Sequence, residues 1–168
     1  NTGLDTTTTP AALFTATTNS GISTGALTVT AGKTYIIEFV YNLTNTGTTS
    51  HTWATLFGGT ATYSTGSNYQ IFGNSSGTAN GAATGGLSGF TTAPGTALTC
   101  TAASTSATEQ VSISGLGTLV INAGGTVIPQ MQASARPGAT GTPGVIFLAG
   151  SFFRIYEMAG NNFVGRWA

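Results

Sequence analysis

The chain has 168 residues and a formal net charge of zero, and charged side chains make up 5% of it, against roughly 25% in ordinary soluble domains. This composition excludes electrostatic attraction to nucleic acid or to an anionic membrane, because both need clustered lysines or arginines. Hydrophobic residues at 40% and aromatic residues at 10% can supply a folded core and argue against disorder.

The pattern of the chain is that of an all-β protein. No window repeats the apolar stripe of a helix, and 25 glycines interrupt every candidate. No run approaches the roughly 18 apolar residues that span a bilayer, so we expect no membrane insertion. We predict an extended N-terminal arm or connector over residues 1–12 and one domain over residues 13–168, an antiparallel β-sandwich of about ten strands.

The strands are predicted from runs of β-branched and aromatic residues between turn signals. In chain order they are Phe14–Thr17, Ala26–Thr30, Thr34–Leu43, Thr52–Phe57, a pair at Tyr63 and Tyr69–Phe72, Ala97–Thr101, Gln110–Asn122, Thr126–Ser134, Val145–Leu148, Phe152–Glu157 and Asn162–Trp167.

Thr34–Leu43 carries the clearest strand pattern. Tyr35 and every second residue after it form one apolar face, while Ile36, Glu38 and Val40 lie on the other. The second face is too apolar for open water, so we expect it to be covered, for example by another subunit. In Gln110–Asn122 the apolar phase slips across two glycines, which suggests a bulge.

The segment Gly73–Gly89 is rich in Gly, Ala, Ser and Asn and offers little to bury, so we expect a long, low-complexity loop there.

Groups that could perform catalysis are scarce. The four carboxylates are Asp5, Glu38, Glu109 and Glu157, His51 is the only histidine, and Cys100 is the only cysteine. No nucleophile elbow, phosphate loop or metal-ligand spacing is present. His51 is expected at a strand end beside Trp53, and Cys100 is expected to be a small buried hydrophobe. The sequence thus predicts a non-enzymatic protein with no cofactor and no metal.

Several segments, in order, resemble a known family. They are Leu27–Phe39, Leu56–Ala61, Asn122–Gln130, Ala149–Tyr156 and the closing Val164–Ala168, with its Val-Gly-Arg-Trp. This order is similar to that of bacteriophage virion surface proteins with a C-terminal trimeric jelly-roll module, of the complement and tumour-necrosis-factor type. The resemblance implies a jelly roll, a homotrimer and a place on the virion surface. It offers no catalytic residues. Partners would be other virion proteins, such as the major capsid or tail protein.

Two functions remain open at this stage. One is a trimeric capsid decoration or cement protein, and the other is the receptor-binding tip of a tail fibre or spike that recognises host surface glycan. For the trimer interface we predict Ile36, Val40, Phe153, Tyr156, Phe163 and Trp167. For a ligand-facing surface beside the glycine-rich loop we predict Tyr63, Tyr69 and Phe72.

Overall fold

The computed structural model describes residues 3–4, 9–14, 25–76, 86–138 and 145–158. These residues form antiparallel strands and no helix, which confirms the all-β prediction. The thirteen strands are β1 (Gly3–Leu4), β2 (Ala11–Ala12), β3 (Leu27–Val29), β4 (Thr34–Asn45), β5 (Trp53–Gly58), β6 (Thr62–Tyr63), β7 (Asn68–Ser76), β8 (Leu87–Thr91), β9 (Leu98–Thr99), β10 (Gln110–Ala123), β11 (Gly125–Ala133), β12 (Val145–Phe147) and β13 (Phe152–Glu157).

Two sheets enclose one core, consistent with a β-sandwich. The larger sheet has the order β1-β12-β4-β10-β7-β8, with β13 also paired to β4 and β6 to β10. The smaller sheet has the order β2-β11-β5-β9, with β3 also paired to β11. The count exceeds the predicted ten in part because β1 and β2 are only two residues long, too short for periodicity to reveal, and because β8 begins within the predicted loop. The predicted Asn162–Trp167 strand lies outside the described residues.

Strand β4 is the centre of the larger sheet. Its alternate residues Tyr35, Ile37, Phe39, Tyr41 and Leu43 are all buried, as the sequence predicts. One edge of β4 pairs with β10 from Thr34 to Thr44. The other edge pairs first with β12 and then with β13, which follow each other along β4. Between them the chain leaves the ladder at Gly150, where φ is 92°, and the Ser151 hydroxyl donates to the Asn42 carbonyl (3.1 Å).

The predicted bulge in β10 is absent. Its register with β4 is continuous from Gln110 to Val120. Gly115 and Gly117 stand in phase with the buried residues of the strand, and Leu116 points outward, 51% exposed. A Cβ on Gly115 would lie 2.1 Å from the ring of Phe39, and one on Gly117 would lie 2.2 Å from the Asn68 carbonyl oxygen. The glycines are therefore core positions filled by neighbouring residues.

The predicted Gly73–Gly89 loop is also wrong at both ends. β7 continues to Ser76 and pairs with β8, which begins at Leu87; residues 77–85 lie outside the described part of the chain. Gly73 and Ser75 take the inward positions of β7 and are buried. A Cβ on Gly73 would lie 1.9 Å from the Cys100 carbonyl oxygen. Small residues here permit close approach between the sheets, a role that a hydrophobicity pattern does not reveal.

Replacing Gly115 with alanine should destabilise the fold. The new methyl group would enter the Phe39 ring, which is fully buried and stacked on Tyr41 with centroids 4.5 Å apart. We expect Gly115→Ala to lower the free energy of unfolding by about 1–3 kcal/mol, as overpacking does, measured by urea titration. Ser114→Ala, the neighbouring position on the outward face, is the matched control and should change it by less than about 0.5 kcal/mol. Equal stability of the two variants would contradict this packing.

Candidate functional site

The outward side of the larger sheet is a broad, mostly uncharged surface. Register places Tyr156, Ile36 and Thr118 in one row, Arg154, Glu38, Leu116, Gln70 and Phe90 in the next, and Phe152, Val40, Ser114 and Phe72 in a third. The seven apolar residues of these rows form a surface that we call the outer face. They are Ile36, Val40, Phe72, Phe90, Leu116, Phe152 and Tyr156. Five of them are exposed, Phe90 by 62% and Phe72 by 54%.

Charge on these rows is limited to one pair. Arg154 and Glu38 lie opposite each other in the register, with Nη1 and Oε2 3.9 Å apart. The guanidinium carbon of Arg154 also lies 4.8 Å from the centroid of the Phe152 ring. Both charged side chains are about half exposed, so the pair adds little stability in the free chain. Contiguous exposed apolar surface of this kind is typical of interaction sites.

Three of the residues predicted for a trimer interface, Ile36, Val40 and Tyr156, lie on the outer face. Phe153 does not. It packs against the core, with its ring centroid 5.6 Å from that of Phe57. This corrects the prediction, because alternation along β13 turns Phe152, not Phe153, outward. Phe163 and Trp167 lie outside the described residues.

The three predicted ligand-facing aromatics are not brought together. Tyr69 is fully buried, and its hydroxyl donates to the Thr55 carbonyl (3.0 Å), so the prediction for Tyr69 is wrong. Phe72 stands in the middle of the outer face. Tyr63 is half-buried; burial raises the pKa of its hydroxyl to about 12, and that hydroxyl donates to the Phe57 carbonyl (3.5 Å).

Two adjoining depressions meet at Phe90, which the sequence analysis overlooked. One, of about 590 Å³, lies between the turn after β6 and the segment after β8 and is lined by Tyr63, Ser64, Thr65, Gly66, Ser67, Asn68, Phe90, Thr92, Ala93, Pro94 and Gly95. The other, of about 430 Å³, lies on the outer face and is lined by Ile36, Asn68, Gln70, Phe90, Leu116, Gly117 and Thr118. We call the two together the Phe90 groove. The sequence signal that could have indicated Phe90 is its position as a lone aromatic residue in the polar stretch Ser88–Thr92.

A buried polar cluster joins three chain segments at one end of the sandwich. His51 Nε2 lies 2.9 Å from Glu109 Oε2, and the same oxygen accepts from the Asn45 amide (2.7 Å) and from Trp53 Nε1 (3.2 Å). His51 Nδ1 lies 2.7 Å from the Thr49 carbonyl oxygen, to which it must donate. His51 and Glu109 are both 1% exposed. His51 lies beside Trp53, as predicted, with ring centroids 5.0 Å apart.

The hydrogen-bond pattern assigns charges to this pair. Nδ1 of His51 faces the Thr49 carbonyl, and Nε2 lies 3.2 Å from the Asn45 amide nitrogen but closer, 2.9 Å, to Glu109 Oε2. The shorter contact with the carboxylate favours an imidazolium paired with a carboxylate. Burial alone would lower the pKa of His51, but the hydrogen bonds to Glu109 and Thr49 outweigh it and raise that pKa. Burial would raise the pKa of Glu109, but the bonds from His51 and Trp53 and the imidazolium charge lower it.

The pair is sealed from solvent, so its geometry serves to tie the 46–52 and 101–109 segments to β4. Cys100 is also fully buried, as predicted, and its Sγ donates to the Leu98 carbonyl (3.1 Å). Within the described ranges no three acidic, histidine or cysteine side chains gather as metal ligands would. The same part of the chain contains no helix that could cross a membrane.

Stability should therefore be greatest in a window of mildly acidic pH. The contribution of His51 is complete below its ordinary pKa of 6.5 and is lost as pH rises through its raised folded value. That of Glu109 is complete above its ordinary pKa of 4.5 and is lost as pH falls through its lowered folded value. Urea titrations between about pH 3 and pH 9 should give a maximum between these two ordinary values.

Glu109→Gln should lower the maximum by about 3–5 kcal/mol, because it breaks a buried ion pair. It should also abolish the loss of stability at high pH, because without the carboxylate burial lowers the pKa of His51 and stability then rises with pH. The control is Glu157→Gln, which breaks an exposed pair with Lys33 (2.9 Å) and should cost less than about 1 kcal/mol. A Glu109→Gln variant that keeps the wild-type pH profile would show that the pair is not ionised.

No protein-family model, no curated protein and no solved structure matches this chain.

Proposed function

We propose that this chain is a non-enzymatic structural protein of a bacteriophage virion surface, acting as a homotrimer that decorates or cements the capsid. The single observation that carries the proposal is the outer face. It exposes Ile36, Phe72, Leu116 and Tyr156 on one continuous sheet surface, which is unfavourable in an isolated chain and favourable in an assembly. The resemblance to trimeric virion modules supplies the expected stoichiometry and location.

The scarcity of charge supports burial of this face against another copy. A fully desolvated unpaired charge is costly, and the rows that carry the outer face hold one carboxylate, Glu38, and one guanidinium, Arg154. Each copy therefore brings balanced charge to a shared contact. Closed symmetry would allow three copies to cover the same face on every subunit.

A second candidate function is the receptor-binding tip of a tail fibre or spike. The observation that favours it is the Phe90 groove, which combines an exposed aromatic ring with hydroxyl and amide side chains. Both candidate functions imply a position on the virion surface. They differ in which surface makes the functional contact, the outer face or the Phe90 groove.

Light scattering coupled to size exclusion tests the assembly. We expect a mass of about three times 16.8 kDa, and Leu116→Arg should shift it to that of the monomer. The variant removes a contact of about 2 kcal/mol. It also adds a second guanidinium to a row that holds Arg154 and one carboxylate, Glu38, so one buried charge stays unbalanced, and association should weaken by at least about 100-fold. Thr28→Arg, at an exposed position on β3 in the other sheet, should remain trimeric. A monomeric wild-type chain at high concentration would refute the proposal.

Electron cryo-microscopy of intact particles separates the two candidates. Copies at three-fold or quasi-three-fold positions of the capsid are expected for decoration, whereas a few copies at the tail would favour the receptor-binding tip. Absence of the protein from any virion would refute both.

A further inference from the structure

We propose that the Phe90 groove binds a neutral oligosaccharide. The proposal gives a site and a ligand class to the second candidate function. The groove is formed within one chain and does not need the trimer. Because Phe90, Ile36 and Leu116 also belong to the outer face, sugar binding requires that contact between copies leave this end of the face open.

Phe90 provides the stacking surface. It projects outward from β8, a strand at the end of the larger sheet's order, and its side chain is 62% exposed, the largest value among the exposed large hydrophobics of the described residues. A flat, exposed aromatic ring suits the C–H faces of a pyranose, which are apolar although the rim of the sugar is polar. Tyr63 also lines the larger depression; it is half-buried, and its hydroxyl donates to the Phe57 carbonyl.

Free hydrogen-bonding groups surround this ring. Within the described part of the chain, the hydroxyls of Ser64, Thr65 and Thr92 and the amide of Gln70 have no protein partner. Hydroxyls both donate and accept, as sugar hydroxyls do, and a primary amide offers both roles in a fixed plane. These groups can therefore pair with a ligand without breaking bonds within the protein.

The wall behind them is held in place. The Ser67 hydroxyl donates to the Val120 carbonyl (3.1 Å) and accepts from the Val120 amide (2.9 Å). Asn68 donates to the Gly66 carbonyl (2.9 Å) and to the Thr118 hydroxyl (3.3 Å). Fixed side chains reduce the ordering cost of binding, which favours a site that is formed before the ligand arrives.

Charge and size define the ligand class. Neither depression is lined by a charged side chain, so a sulfated, phosphorylated or carboxylated sugar would find no cation to balance it. The depressions, about 590 and 430 Å³, share Phe90 and Asn68, and each lies in the roughly 300–1,000 Å³ range of small-ligand sites. The combined length suits two or more sugar rings better than one.

The test is a glycan array carrying neutral and acidic oligosaccharides, probed with the full chain, followed by calorimetric titration of the best neutral ligand. Phe90→Ala should raise its Kd at least about tenfold, and Gln70→Ala should raise it by a smaller factor. Leu87→Ala is the matched control, because Leu87 is also an exposed apolar residue of β8 and lines neither depression. Its Kd should equal that of the wild type.

Several results would overturn the inference. They are no binding of neutral oligosaccharides up to about 10 mM, a preference for acidic glycans or for peptides, and equal effects of Phe90→Ala and Leu87→Ala. Unfolding midpoints of all three variants establish that the fold is kept. Light scattering on the same samples separates the proposals. A trimer without sugar binding would refute only this inference, and a monomer that binds sugar would refute only the assembly.

Discussion

The pairing of β4 with β10 is the constraint on which the rest of the structure depends. Eleven consecutive residues of the two strands are in register, and on the inner side the Phe39 ring lies directly over the bare backbone of Gly115. That contact lets the aromatic stack of Phe39 and Tyr41 sit close to the sheet, with Phe57 of β5 packed edge-on against Phe39 at 6.0 Å. Because strand side chains alternate, fixing the inner side also fixes which residues face outward.

The outer face follows from that register. If Tyr35 and Phe39 point inward, then Ile36 and Val40 must point outward, and their neighbours in the rows are Leu116, Phe72 and Tyr156. A chain with this little charge cannot surround such a face with ionic groups. Among the described residues, charged side chains pair at Lys33–Glu157, at Arg154–Glu38 and, buried, at His51–Glu109.

Sequence reasoning reached the fold class, the alternation of β4, the burial of Cys100 and the outward position of Ile36, Val40 and Tyr156. Each of these depends on a local pattern of period two. It failed where small residues replace apolar ones. Gly115 and Gly117 were read as a bulge, and Gly73 and Ser75 as part of a loop, because a glycine that makes room for a neighbour's ring looks the same in sequence as a glycine that breaks a strand.

The candidate sites could not be predicted from the sequence of any single strand. The sequence alone suggests that Tyr69 is exposed, but its hydroxyl donates to the Thr55 carbonyl across the core. Phe153 and Phe152 are adjacent and equally apolar, so only the register with β4 decides which of the two partly buried side chains faces the core. The Phe90 groove joins four separate chain segments, and the Glu109 carboxylate contacts His51, 58 positions away in the sequence. No spacing rule predicts such contacts.

The composition of the outer face has a thermodynamic consequence. With a single carboxylate and a single guanidinium beside seven apolar residues, contact on this face would release water from carbon surface and few counterions. Association would then be almost independent of ionic strength at moderate salt and would carry a large negative heat-capacity change. Cooling would weaken it, and sulfate or phosphate at high concentration would strengthen it. A particle held together in this way would tolerate dilute media but loosen in the cold.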